Sequence, residues 1–249
     1  MNSILTIATH EFRRLLVSPF AWLVLASVQF ILALFFYLLL SRYLESAGLY
    51  AGRGITAVVV IGMLQIAGLV MLILSPFITM RSFSEEFRGG TIKLLFSSPV
   101  SITALVLGKF CGLALFYLCL LLLIALMPLS LLLGTTLDFG VLFSGLVALF
   151  LLFSSFIAIG LFISSLSATP ALAAVGSFVV LISLWLIHIV NDTGNIYVEA
   201  VLNYLSLQKH FNALLSGAFS SSDMVYYLLL TSLFLVLSIW RLDRLRTHK

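Results

Sequence analysis

The chain has 249 residues, of which 62% are hydrophobic and only 9% charged, with a mean hydropathy of +1.23. Soluble domains carry about 25% charged residues, so this composition excludes a water-soluble enzyme or binding module and describes a polytopic membrane protein. A formal net charge of +4 does not point to nucleic acid: there is no compact basic run with interleaved aromatics, and Lys and Arg sit beside the ends of apolar runs.

A segment that crosses lipid must satisfy its own backbone, which leaves helices or closed barrels. The apolar runs lack the two-residue alternation of a barrel. The fold class expected is therefore an all-α polytopic membrane protein with six transmembrane helices, an N-terminal interfacial helix and a short cytoplasmic helix between spans 2 and 3.

In residues 1–18, Ile4, Ile7, Ala8 and Leu15 recur near helical spacing among His10, Glu11, Arg13 and Arg14, the pattern of a helix lying in the membrane interface. Pro19 marks the turn into a first span, 20–40, which is longer than the ~7–15 residues of a signal-peptide core and so reads as uncleaved. A polar outer loop from Ser41 to Gly54 carries Arg42, Glu45 and Arg53, and the second span covers 55–80. The third, 101–133, exceeds the ~20 residues a bilayer requires, so it tilts or extends into the cytoplasm through Lys109.

A tight outer turn at 134–140 leads to the fourth span, 141–166. Only Ser167 to Pro170 separate it from the fifth, 171–190, which makes these two helices antiparallel neighbours. Residues 191–223 form the longest polar stretch, with Val201, Leu205, Phe211 and Leu214 spaced for a short amphipathic helix on the outer face. The sixth span, 224–240, ends in a basic tail, 241–249. Cys111 and Cys119 lie eight positions apart on one helix face and read as packing residues, not as a disulfide or metal pair.

Of the thirteen Lys and Arg residues, ten flank one side: Arg13, Arg14, Arg81, Arg88, Lys93, Lys109, Arg241, Arg244, Arg246 and Lys249. Only Arg42, Arg53 and Lys209 flank the other. Positive residues stay inside, so both termini and the segment after the second span are expected in the cytoplasm, which is consistent with six spans. No internal repeat of the kind that builds inverted-repeat carriers is visible.

The segment after the second span reads R-S-F-S-E-E-F-R-G-G-T-I-K-L-L-F-S-S-P-V-S, residues 81–101. Gly89 and Gly90 end the helix leaving the span, Thr91 can cap a new one, and Pro99 stops it. On that short helix Ile92, Leu95 and Phe96 share a face and Lys93 lies on another. A small amphipathic helix tied to two spans has the construction of a lever.

The pattern Arg81, Glu85, Glu86, then Gly90-Thr91, Leu94-Leu95, Pro99-Val100 and Gly108-Lys109 at the entry to a span resembles the cytoplasmic region of type-2 ABC transporter permeases, closest to their gliding-motility-type branch. The early E-F-R-R and S-P-F, and the late Tyr204-Leu205-Ser206 with His210 and Phe211, are similar to that branch too. The resemblance implies a permease working with a separate ATP-binding subunit. It also implies a coupling helix, here residues 91–98, that docks on that subunit. The partner-binding residues so implied are Glu85, Glu86, Arg88, Thr91, Ile92, Leu94, Leu95 and Phe96; Phe87 and Gly89 stand where many relatives are more polar.

The chain has no G-x-x-x-x-G-K-[ST] phosphate cradle, and Gly108-Lys109 is followed by Phe110. It is therefore expected not to be an enzyme and to bind no cofactor itself, with ATP and Mg held by the partner. The other partners expected are a second copy or a related permease, and the lipid bilayer of the inner membrane. Without the resemblance, Glu85 and Glu86 read equally well as a solvated pair balancing Arg81 and Arg88, and the Ile92 face as a helix resting on lipid.

Within the spans, Gln29 and Gln65 are costly in lipid and face other helices or a substrate path. Gly62, Gly68, Gly145 and Gly160 read as close-packing positions, and Ser154, Ser155, Ser164 and Ser165 as packing glue and not as nucleophiles. The composite expectation is the membrane-spanning subunit of an ATP-driven exporter. The alternatives are a membrane anchor or mechanical subunit of an ATPase complex and, with no ionisable groups at mid-depth, less readily a secondary carrier.

Overall fold

The structure is a computed structural model describing residues 2–45, 54–92, 100–190, 196–217 and 220–247. The described residues form helices and turns only. Ten α-helices run in chain order: α1 Asn2–Val17, α2 Pro19–Glu45, α3 Ile61–Thr79, α4 Arg81–Arg88, α5 Ile102–Ser130, α6 Phe139–Leu166, α7 Pro170–Leu186, α8 Ile196–Leu205, α9 Leu207–Leu215 and α10 Ser221–Thr247. A π-helical turn, Thr56–Val60, leads into α3, and 3-10 turns follow α5 and α7.

Among the described residues, five helical stretches are long and apolar enough to cross a membrane: those of α2, α3–α4, α5, α6 and α10. The fifth expected span is shorter, because α7 has 17 residues before a 3-10 turn, Ile187–Val190. Three helices outrun their expected limits. The first continues past Leu40 to Glu45, α6 begins at Phe139, and the last runs from Ser221 to Thr247. Local chemistry accounts for the extra turns. Asp138 caps α6 by accepting from the backbone N–H groups of Gly140 and Val141 at 2.9 and 3.3 Å. In α10, Asp223 in the first turn and Arg244 and Arg246 in the last complement the helix dipole. Among the described residues of 191–223, the stretch expected on the outer face, there are two short helices, α8 and α9, where one was expected.

The centre of the bundle is α6. Of its most apolar stretch 72% is buried, against 22% for α2 and 28% for α10, and it packs against α3, α5, α7, α9 and α10. Small residues bring α3 close. A Cβ on Gly145 would lie 2.5 Å from Leu64 Cδ1, and one on Gly160 would lie 2.1 Å from Thr79 Oγ1. Leu64 to Thr79 and Gly145 to Gly160 are equal intervals along the chain, so α3 and α6 run parallel and in register for about 22 Å. Without a hydrophobic force between helices in lipid, such close approach is what holds them together.

At the other end of the bundle, α9 is pinned by aromatic and polar contacts. Phe211 packs where a Gly68 side chain would be, 2.9 Å from its Cβ position. His210 Nδ1 lies 2.5 Å from Asp223 Oδ1, and its ring stacks on Tyr226 at 4.1 Å. Tyr226 and Tyr227 donate to the carbonyls of Leu205 and Leu207, each at 2.8 Å. The late Tyr204 to Phe211 motif thus fastens α9 to α10 and α3.

Candidate functional site

The charged segment after α3 divides into parts with different surroundings. Glu85 is half-exposed and forms an i,i+4 pair with Arg81 at 3.3 Å, a surface contact worth about 0.3–0.5 kcal/mol. Arg88 is exposed. Glu86 turns inward, and its Oε1 accepts from Lys109 Nζ on α5 at 2.7 Å.

Lys109 is the pivot of this site. It is 2% exposed, and its Nζ also donates to Glu11 Oε1 of α1 at 2.6 Å and lies 5.2 Å from the centre of the Phe83 ring. Glu11 in turn holds Arg14 at 2.9 Å. An ammonium taken out of water is tolerated only when paired and hydrogen-bonded, and here two carboxylates from different helices serve it. One buried cation therefore ties α1, α4 and α5 into a single unit.

The backbone is arranged to permit this. On α5, a Gly108 Cβ would lie 2.7 Å from Ile7 Cβ, and a Gly112 Cβ 2.7 Å from Glu11 Cβ and 2.8 Å from the Ala8 carbonyl. The G-K-F-C-G run thus lets α1 lie directly on α5, with Lys109 between the two glycines reaching Glu11. The interfacial helix expected from the sequence is docked on protein along this face.

A second clamp holds the start of α4. The α3–α4 boundary at Met80 leaves first-turn N–H groups without helical partners. Ser164 of α6 accepts from the N–H groups of Phe83 and Ser84 at 3.0 and 3.1 Å, and donates to the Met80 carbonyl at 3.0 Å. Ser84 adds its own hydroxyl bond to that carbonyl. Ser164, expected as packing glue, serves as such: its hydrogen bonds tie α6 to the start of α4.

The end of α4 matches the expected glycine turn. The Gly89 N–H donates to the Glu85 carbonyl at 2.8 Å, and Gly90 adopts φ +69°, a conformation L side chains rarely enter. The Thr91 hydroxyl donates back to the Glu86 carbonyl at 3.4 Å, and Ile92 is buried. Leu94, Leu95 and Phe96, with most of the expected 91–98 helix, lie outside the described residues.

The two span glutamines bond to different elements. Gln29 donates to the Leu123 carbonyl of α5 at 2.9 Å, and Gln65 to Asn212 Oδ1 of α9 at 3.2 Å. Gln65 is exposed and borders a cleft with Gln208 and Trp185. Sequence reasoning missed the knot because Lys109 and Glu11 are 98 residues apart. The available signal was a glycine on either side of a lysine at a helix start, opposite a helix carrying one carboxylate.

The arrangement is a structural junction at one end of the helical bundle, where α4 is fastened to α1, α5 and α6. No curated protein sequence matches the chain. The family model described as ABC-2 family transporter protein matches residues 5–245, from the α1 helix that bears Glu11 to the basic end of α10. With nearly its whole length matched, this multi-pass membrane protein belongs to the ABC-2 transporter family, as a type-2 ABC permease.

Proposed function

We propose that this chain is the membrane-spanning subunit of an ATP-driven exporter in the inner membrane, with both termini cytoplasmic and α7 completing six spans. A separate ATP-binding subunit holds ATP and Mg and docks on residues 91–98, flanked by Glu85 and Arg88. Closure of that subunit on ATP pushes the 91–98 segment. Two permease chains, identical or related, form the path.

The observation that supports this reading is the Lys109 junction with Glu86 and Glu11. The segment that would receive the push begins three residues after Arg88 and ends three residues before Ser101, the N-cap of α5. Because Glu86 is bonded to Lys109, displacement of this segment moves α4, the start of α5 and α1 together. A flexible loop would dissipate the same push.

The test is purification of C-terminally tagged chain by gentle extraction from native membranes. A stoichiometric ATP-binding subunit is expected with the wild type and is lost from Phe96→Asp, while membrane insertion is unchanged. Undiminished association in Phe96→Asp would contradict the docking role.

A further inference from the structure

Between the α1–α2 elbow and α3–α4 lies a cleft that borders the Lys109 junction through Arg14, the second partner of Glu11. Its polar wall is Arg14, Ser18 and Arg81, and its floor is Phe20, Phe77 and Phe116. Arg81 also stacks over Phe20, 5.6 Å from the ring centre. Two guanidinium groups from separate helices thus face one space whose only lining carboxylate is Glu85. Each guanidinium carries five N–H donors, so the pairs with Glu11 and Glu85 leave donors unused.

The depth of the cleft is marked by Trp22. It stands in the first turns of α2, 59% exposed, with Nε1 donating to the Leu16 carbonyl at 2.7 Å. A tryptophan with an exposed ring and a satisfied N–H is characteristic of the headgroup layer. Phe77, 44% exposed on α3, continues the apolar floor toward the membrane interior. Cationic groups at headgroup depth above an apolar wall match an anionic lipid from end to end.

The lining pairs two guanidinium groups with three aromatic rings from α2, α3 and α5, and that combination of cationic edge and apolar wall fits a phosphate carried on acyl chains. We propose that this cleft binds the headgroup of an anionic phospholipid, its phosphate on Arg14 and Arg81 and its acyl chains along Phe77. The site requires only that the chain is embedded in a membrane, so it stands independently of the ATP-binding partner.

The experiment is native mass spectrometry of the detergent-purified chain, titrated in parallel with dioleoyl phosphatidylglycerol and dioleoyl phosphatidylcholine. The wild type is expected to retain the anionic lipid several-fold better. Arg81→Gln loses about fivefold of that preference, the effect of one basic group near a lipid surface, and Arg81→Lys restores part of it. Ser18→Phe, which fills the cleft without removing charge, produces the same loss. Arg246→Gln on α10 leaves the preference intact. Equal retention of both lipids by the wild type would overturn the proposal, as would an Arg246→Gln loss equal to that of Arg81→Gln. Full competition by glycerol phosphate at the lipid's own concentration would also overturn it, because the apolar floor would then contribute nothing. So would Ser18→Cys chains that cross-link to one another quantitatively, since a second copy would then occupy the cleft.

Discussion

Lys109 and Glu86 meet at 2.7 Å although 23 residues separate them, and the intervening chain contains the whole segment proposed to contact the ATP-binding subunit. The bond closes that segment into a loop with a fixed base. Glu11 completes the base from α1.

Removing the cation leaves two largely buried carboxylates without the ammonium between them, Glu86 with no other paired cation among the described residues and Glu11 with Arg14 alone. Lys109→Met is therefore expected to destabilise the chain by about 3–5 kcal/mol, the cost of breaking a buried pair from one side. Adding Glu11→Gln and Glu86→Gln to Lys109→Met removes the stranded charges and recovers much of the loss. Thermal unfolding in detergent of the single and triple variants checks both directions.

Ser164→Ala removes the acceptor for the Phe83 and Ser84 N–H groups. Each orphaned donor costs about 1–3 kcal/mol if it stays dry. The expected result is local: faster amide hydrogen exchange at Phe83 and Ser84, with the α6 core protected as before. Unchanged exchange at those two amides would show that the clamp does not hold α4.

Gly160→Ala places a methyl group where Thr79 Oγ1 already lies, 2.1 Å away. Thr79 is buried and bonded to the Ser75 carbonyl at 3.0 Å, so it has no free direction in which to retreat. Overpacking of this kind costs about 1–3 kcal/mol. A fall in the thermal midpoint, partly reversed by adding Thr79→Ala, is the expected pattern; the same change at Gly134, which has open space around it, should be silent.

Gly108→Leu is expected to lift α1 off α5, because the new side chain takes the position of Ile7. Limited proteolysis should then cut near Arg13 and Arg14 at a rate well above that of the wild type, with α2 to α10 intact.

The long spans were legible because runs such as 141–166 admit no other reading in water or in lipid. Helix ends were less so: Leu40 looks like a boundary, yet Ser41 to Glu45 continue α2 because nothing there breaks a helix. The shortness of α7 was hidden by His188 and its neighbours, apolar enough to extend the run but wound as a 3-10 turn. At the site, the glycine turn at Gly89-Gly90 was visible because backbone conformation is local. The different surroundings of Glu85 and Glu86 were not, since adjacent residues on a helix point in different directions and only the position of α5 decides which is buried. Ser164 was legible only as one of several serines expected to glue helices together; its partners at the start of α4 depend on how α6 meets α4 and leave no mark in the local sequence.

Lys109 locks α4 to α1 and α5 as one body. With Cys111 and Cys119 replaced by alanine, spin labels at Arg13→Cys on α1 and Arg88→Cys on α4 report the spread of distances between these helices by pulsed electron resonance. A narrow distribution is expected, and it broadens when Lys109→Met is added. A distribution equally narrow in Lys109→Met would show that packing alone holds the unit, and the junction would then have no part in carrying force.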